Sequence, residues 1–254
     1  MNDLRAIYAI WLRDVIRYRR DRYRIISSLA QPALFLFVFG NGLARGLAVN
    51  ISAGGRTSSY VAFIYPGIIG MTLLFTSIFT AISIVWDREF GFLKEVMVAP
   101  ISRSAVAIGK ALGGSTVALI QGTVVLLLAP FLGVRLSPGL FLALVPIMFL
   151  IAFSLTSMGI VIAARMETME GFQMIMNFLV MPLFILSGAM FPLDRLPGWL
   201  RFLTLIDPLS YGVDALRGLL LGPALAQFPV GLDLGVMVGF GVIMISLAVF
   251  LFER

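Results

Sequence analysis

Runs of uninterrupted apolar residues set the frame of this chain. Six stretches contain no Asp, Glu, Lys or Arg: Ile25–Ala44, Thr57–Trp86, Ala111–Val134, Leu136–Ala164, Gly171–Leu193 and Leu234–Phe252. A helix needs ~20 apolar residues to cross a bilayer, and a charge at mid-depth costs at least ~2.5–3.5 kcal/mol. Each run is long enough for one crossing, and Gly, Pro or Ser trims most of them at an end. The pattern predicts an all-α polytopic membrane protein with transmembrane helices at 25–44, 61–86, 105–132, 138–164, 171–190 and 231–252.

Polar positions mark out three further segments. Leu4, Ile7, Tyr8, Trp11, Leu12 and Val15 recur at helical spacing, while Arg5, Arg13, Asp14 and Arg17 fall on other faces. This predicts an amphipathic helix over 2–24 lying in the membrane interface, with Tyr8 and Trp11 at headgroup depth, able to anchor the chain and to dock a partner. After the second run comes a charged stretch, Asp87, Arg88, Glu89, Phe90, Phe92, Leu93, Lys94, Glu95, Val96 and Met97, closed by Pro100. Phe90, Leu93, Val96 and Met97 share one helical stripe, which suits a short helix over 87–104 pressed into a groove on a partner. The last segment, 191–229, is broken by Pro192, Pro197, Pro208 and Pro223 into pieces too short to cross, yet it is too apolar for a free loop. A pair of re-entrant helices on the outer face is expected, one starting at Asp207-Pro208 and ending at Gly222-Pro223.

Composition narrows the chemistry. The 254 residues are 60% hydrophobic and 13% charged, with no Cys and no His. That excludes disulfides, thiol nucleophiles and the commonest metal ligand and general base, so no catalytic residue and no metal site is expected. The net charge of +6 belongs to loops at an anionic leaflet, not to nucleic-acid binding. With both termini inside, thirteen Lys and Arg lie on the inner side and six on the outer, the asymmetry that places the termini in the cytoplasm. A phosphate-cradling G-x-x-x-x-G-K-[ST] motif is absent, since Gly109-Lys110 is followed by Ala111. ATP hydrolysis therefore belongs to another polypeptide if it drives this one. Gly42/Gly46, Gly109/Gly113 and Gly235/Gly239 carry the small-residue spacing that lets helices approach. Aromatic, Met and isolated polar residues in the spans suggest an adaptable path for an amphiphile: Phe35, Phe39, Met71, Thr72, Phe75, Thr76, Met174, Asn177, Phe178 and Met181.

The stretch DREFGFLKEVMVAPISR (Asp87–Arg103), the following Gly109-Lys110, and LSGAMFPLDRLPGWL with DPLSYGVDALRG in the final third resemble the permease subunit of ABC-2 type transporters. Within that family the chain is most similar to the drug-resistance, daunorubicin-exporter-like branch. The resemblance covers essentially the whole chain as one transmembrane domain. It implies an exporter in the bacterial inner membrane with two copies of a separate P-loop ATPase, which would carry the ATP and Mg, and a second permease chain. A homodimer is expected first, and a heterodimer with a similar chain second. It also implies that the segment around Phe90–Val98 is the coupling helix, seated on the ATPase together with the interface helix, with Asp87, Arg88, Glu89, Phe90, Phe92, Leu93, Glu95, Val96, Met97, Arg13 and Arg17 as docking residues. A hydrophobic or amphiphilic substrate is the leading expectation. A polysaccharide, lipid-linked glycan or lipo-oligosaccharide is the alternative, and a non-transporting scaffold or sensor is the reading from another class.

Overall fold

A computed structural model describes residues 3–38, 50–53, 56–89, 102–193 and 196–253. The regular structure among the described residues is helical apart from one short hairpin. Helix α1 (Asp3–Arg20) turns at Asp21 into α2 (Arg22–Val38), and strands β1 (Asn50–Ala53) and β2 (Arg56–Ser59) follow. Then come α3 (Tyr60–Thr80), α4 (Ile82–Glu89), α5 (Arg103–Leu126), α6 (Pro138–Ala163), α7 (Met169–Leu186), α8 (Gly198–Ile206), α9 (Pro208–Leu221) and α10 (Val230–Glu253). The strands pair antiparallel from Asn50↔Ser59 to Ala53↔Arg56, a feature that the apolar pattern does not signal.

Among the described residues, five helical segments are long and apolar enough to cross a membrane: Tyr60–Glu89, Arg103–Leu126, Pro138–Ala163, Met169–Leu186 and Val230–Phe252. The first expected span, 25–44, corresponds to α2 as far as Val38, and residues 39–49 lie outside the described part. Local chemistry explains the boundaries. Ser102, Ser137 and Thr168 cap α5, α6 and α7 by accepting from the backbone N–H of Ala105, Leu140 and Gly171. Asp207 caps α9 in the same way, with Pro208 at the first helical position, and Gly222 at φ 101° ends that helix before Pro223.

Two expected helices are shorter than drawn from the sequence. The 61–86 span breaks at Ala81, where Thr80 Oγ1 donates to the Ser77 carbonyl and Ser83 Oγ to the Thr80 carbonyl. These hydroxyls compete for carbonyls that the helix ladder uses, which bends it. The 105–132 span ends its α-helix at Leu126 and finishes in a 3-10 turn over Ala129–Leu132, with Pro130 inside it and Gly133 at φ 75° closing it.

The core is centred on α3, which packs against α2, α5, α6, α7 and α9. Its apolar surface is covered nearly all round, from Phe63 to Leu74. Helix α10 is as apolar but packs chiefly against α5, α6 and α9. Most of its surface and that of α7 is exposed in the single chain, where lipid or another membrane protein would meet it. Tyr65 ties the centre together. It is fully buried, and its hydroxyl lies 2.8 and 2.9 Å from the Val125 and Leu126 carbonyls, donating to the end of α5.

Candidate functional site

Helices α2, α3 and α5 enclose a cavity of about 200 Å3, lined by Gln31, Pro32, Met71, Thr72, Phe75, Thr76, Phe79 and Gln121. The α3 residues recur at the spacing of one helical face, so a single stripe of that helix forms the longest wall. Thr76 Oγ1 donates to Gln121 Oε1 across the cavity, and Thr72 Oγ1 donates 2.9 Å to its own helix at Ile68. Phe75 and Phe79 lie nearly parallel, with ring centroids 6.2 Å apart. The lining thus combines a band of amides and hydroxyls with flat aromatic surface and carries no formal charge. Such a wall can hold an uncharged group that has both hydrogen-bonding edges and an apolar face.

Four of the residues expected along a path, Met71, Thr72, Phe75 and Thr76, meet in this cavity. The others do not. Met174, Asn177, Phe178 and Met181 form one stripe on the outward face of α7, with Met174 76% and Phe178 83% exposed in the single chain. Phe35 points edge-on at Phe184, centroids 6.1 Å apart, and so joins α2 to α7. Phe39 lies outside the described residues. The structure adds Gln31, Pro32, Phe79 and Gln121 to the lining. Gln121 and Phe79 stand out in the sequence as a lone polar residue and a ring in apolar runs. Gln31 beside Pro32 could have been noticed as a polar group where a proline removes a helix N–H.

At the α1 end of the bundle the charged residues form a network. Lys110, only 5% exposed although it belongs to α5, places Nζ 3.6 Å from Asp14 Oδ1 and 3.4 Å from Asp87 Oδ2. It also donates to Ser83 Oγ at 2.9 Å. Arg13 approaches both acids at 3.7 Å, and the Arg17 guanidinium stands 5.5 Å over the Trp86 ring. Arg88 donates to the Met166 carbonyl at 2.9 Å, and Glu89 accepts from the Met169 N–H at 3.1 Å. Among the residues expected to dock a partner, Arg13, Arg17, Asp87, Arg88 and Glu89 therefore bind α1, α4, α5 and the start of α7 to one another. Phe90, Phe92, Leu93, Glu95, Val96 and Met97 lie outside the described residues.

Helix α1 faces the protein with Ala6, Ile7, Ile10, Asp14 and Tyr18, pressed on α5, whereas Leu4 and Tyr8 of the expected apolar stripe are 78% and 59% exposed in the single chain. Trp11 is half-buried, and its indole N–H donates to Thr116 Oγ1 at 3.0 Å, because the close fit of α1 on α5 brings a hydroxyl within reach.

Comparison with known proteins agrees with this architecture. A family model described as ABC-2 type transporter matches residues 5–221. The chain belongs to the ABC-2 type transporter family. It is 31% identical to transport permease ycf38 of Cyanophora paradoxa, covering 84% of this chain and 73% of the relative. It is 27% identical to Nodulation protein J of Rhizobium meliloti (strain 1021), covering 97% and 92%, and 27% identical to Nodulation protein J of Rhizobium leguminosarum bv. viciae, covering 90% and 86%. ABC-2 permeases typically work with a separate ATPase subunit, and the match to transport permeases is consistent with a transport subunit.

The opposite end of this ABC-2 permease carries a second buried charge cluster. Arg217, 2% exposed, donates 2.7 Å to the Gly188 carbonyl, lies 3.9 Å from Asp214 and stacks 4.1 Å over the Phe63 ring. Asp214 accepts from the N–H groups of Gln227 and Phe228. Burial lowers the Arg217 pKa to about 10 against the opposing pull of Asp214, so the guanidinium stays charged at neutral pH. This cluster fastens α9 to α3 and to the turn after α7. Burial also raises the carboxyl of Asp207 to about 8, although its bonds from Leu209 and Ser210 favour the anion.

Proposed function

We infer that this chain is the permease of an ATP-driven exporter that moves an amphiphilic compound out across the bacterial inner membrane. The observation that carries the reading is the cavity between α2, α3 and α5, where Gln31, Thr72, Thr76 and Gln121 face Phe75 and Phe79 without a charged group. An uncharged polar head fits the amides and hydroxyls, and an apolar body fits the rings and Met71. Two permease chains and two copies of the P-loop ATPase make the working unit, with ATP and Mg on the ATPase. Both termini lie in the cytoplasm, so the α1 end is the docking end and the Arg217 cluster the outer end. The free side of α1, with Leu12, Arg13, Ile16, Arg17 and Arg20 along an open hollow, and the segment after Glu89 form the docking surface. Closure of the ATPase dimer shifts the permease pair between inward-open and outward-open states. Helices α8 and α9 stand as the re-entrant pair at the outer end. The stripe Met174, Asn177, Phe178 and Met181 faces the second permease, where it completes the path.

The polar band also favours a second reading, export of a glycan-bearing lipid or oligosaccharide, since sugar rings pair hydrogen-bonding edges with faces that stack on aromatics.

The test is purification of the tagged chain in mild detergent from its native cell, with mass spectrometry of what stays bound. A stoichiometric P-loop ATPase is expected, and Phe90→Ala with Leu93→Ala is expected to release it while the chain remains inserted. A folded, dimeric chain that carries no ATPase would refute the exporter and favour a scaffold. ATP hydrolysis by the purified complex is then assayed with single-chain amphiphiles, glycolipids and free oligosaccharides. Stimulation by oligosaccharides alone would select the second reading.

A further inference from the structure

Lys110 is the one charged residue of α5 beyond Arg103 at its first position, and a nearly buried ammonium is costly unless opposite charges and hydrogen bonds surround it. Its partners come from two other elements. Asp14 belongs to α1, while Asp87 and Ser83 belong to α4, the helix from which residues 90–101 depart before the chain returns as α5. One ammonium thus gathers the interface helix and both ends of the docking segment. The backbone fit reinforces it. A Cβ on Gly109 would lie 2.9 Å from Ile10 Cβ, and one on Gly113 would lie 3.0 Å from Asp14, so α1 can approach α5 this closely only over glycine. Eleven residues further along the same helix, Gln121 lines the cavity, ~16 Å away at 1.5 Å per residue.

We propose that Lys110 is the positioning residue that transmits movement of the docking elements along α5 to the cavity. The proposal rests on the docking reading above. Apolar packing alone would let α1 and α4 slide on α5, whereas an ammonium shared by two carboxylates makes the three elements move as one. Lys110 touches neither nucleotide nor substrate, and it acts through Asp14 and Asp87.

The natural chain has no Cys, so a single Thr76→Cys change reports on the cavity without the substrate being known. The reference protein, reconstituted with its ATPase in proteoliposomes, is treated with a membrane-impermeant maleimide with and without Mg-ATP. Nucleotide is expected to change its labelling rate on the order of tenfold, the usual size of coupling between sites. Added to this reference, Lys110→Met is expected to keep ATPase binding and hydrolysis but to lose the nucleotide response, and Lys110→Arg to retain it. The neutral triple Asp14→Asn/Asp87→Asn/Lys110→Met removes the three buried charges together, leaves only the solvent-reaching Arg13 without its acids, and is expected to fold without the response. A response in either neutral variant equal to that of the reference overturns the proposal. So does loss of response in Lys110→Arg, which would indicate a purely steric requirement, or misfolding of both neutral variants, which would make the cluster scaffolding. A reference that binds ATPase but labels alike with and without nucleotide overturns the proposal alone. A reference that binds no ATPase removes the docking reading as well.

Discussion

Gly109→Ala gives a quantitative test of how α1 sits on α5. The new methyl would meet Ile10 Cβ at 2.9 Å, Ile10 Cγ2 at 3.1 Å and the Ile7 carbonyl oxygen at 3.2 Å. Two of these three atoms cannot rotate away, one being backbone and the other a Cβ, so α1 itself must shift. Overpacking of this kind costs about 1–3 kcal/mol. Against it, alanine is favoured over glycine inside a helix by about 0.8–1.0 kcal/mol. The net expectation is a loss of roughly 1 kcal/mol, which lowers the melting midpoint by about 2–4 °C for a domain of this size. Gly235→Ala is the matched control. It occupies an equally helical position in α10, but a methyl there meets nothing within 4 Å in this chain, so the propensity gain stands alone and the midpoint rises. The assay is the temperature at which detergent-solubilised protein loses its monodisperse elution peak, with Trp11 fluorescence reporting release of α1. Equal or higher stability for Gly109→Ala would refute the close packing of α1 on α5.

Three further outcomes follow from the buried polar groups. Gln121→Leu removes the acceptor of the Thr76 hydroxyl at a cost of about 1 kcal/mol, and it should lower substrate stimulation of ATP hydrolysis; unchanged stimulation would remove Gln121 from the site. Arg217→Met leaves Asp214 buried without its cation and should cost about 3–5 kcal/mol, read as lost folded yield, whereas the wild-type yield would show the cluster to be dispensable. Asp207, raised to about 8 by burial, binds its proton more tightly folded than unfolded. Its contribution is therefore full below the unfolded value near 3.9 and is lost as pH rises towards about 8. Asp207→Asn keeps the cap and should flatten that pH dependence, and an unaltered slope in thermal midpoint would assign it to other groups.

Much of this protein is legible from local chemistry. Uncharged runs of sufficient length marked the five span-length helical segments described between Tyr60 and Phe252, and Asp207-Pro208 and Gly222-Pro223 marked the ends of α9. These features depend on neighbours a few residues apart, which a sequence displays directly. The facing of the spans is another matter. A helix apolar all round carries no periodicity to say which side meets protein, so α3 and α10 read alike although one is enclosed and the other mostly exposed. Gly109/Gly113 and Gly235/Gly239 show the same spacing, yet only the first pair is a close helix contact within the chain. Likewise Met71, Thr72, Phe75 and Thr76 reached the cavity while Met174, Asn177, Phe178 and Met181 turned outward on α7. Lys110 borders an uncharged run in the sequence, and became the buried centre of a charge network because Asp14 and Asp87, distant in sequence, were folded onto it. Residue type and spacing determined the apolar elements and many of their ends. Which residues meet was decided only by the packing of helices whose surfaces are, to water, nearly indistinguishable.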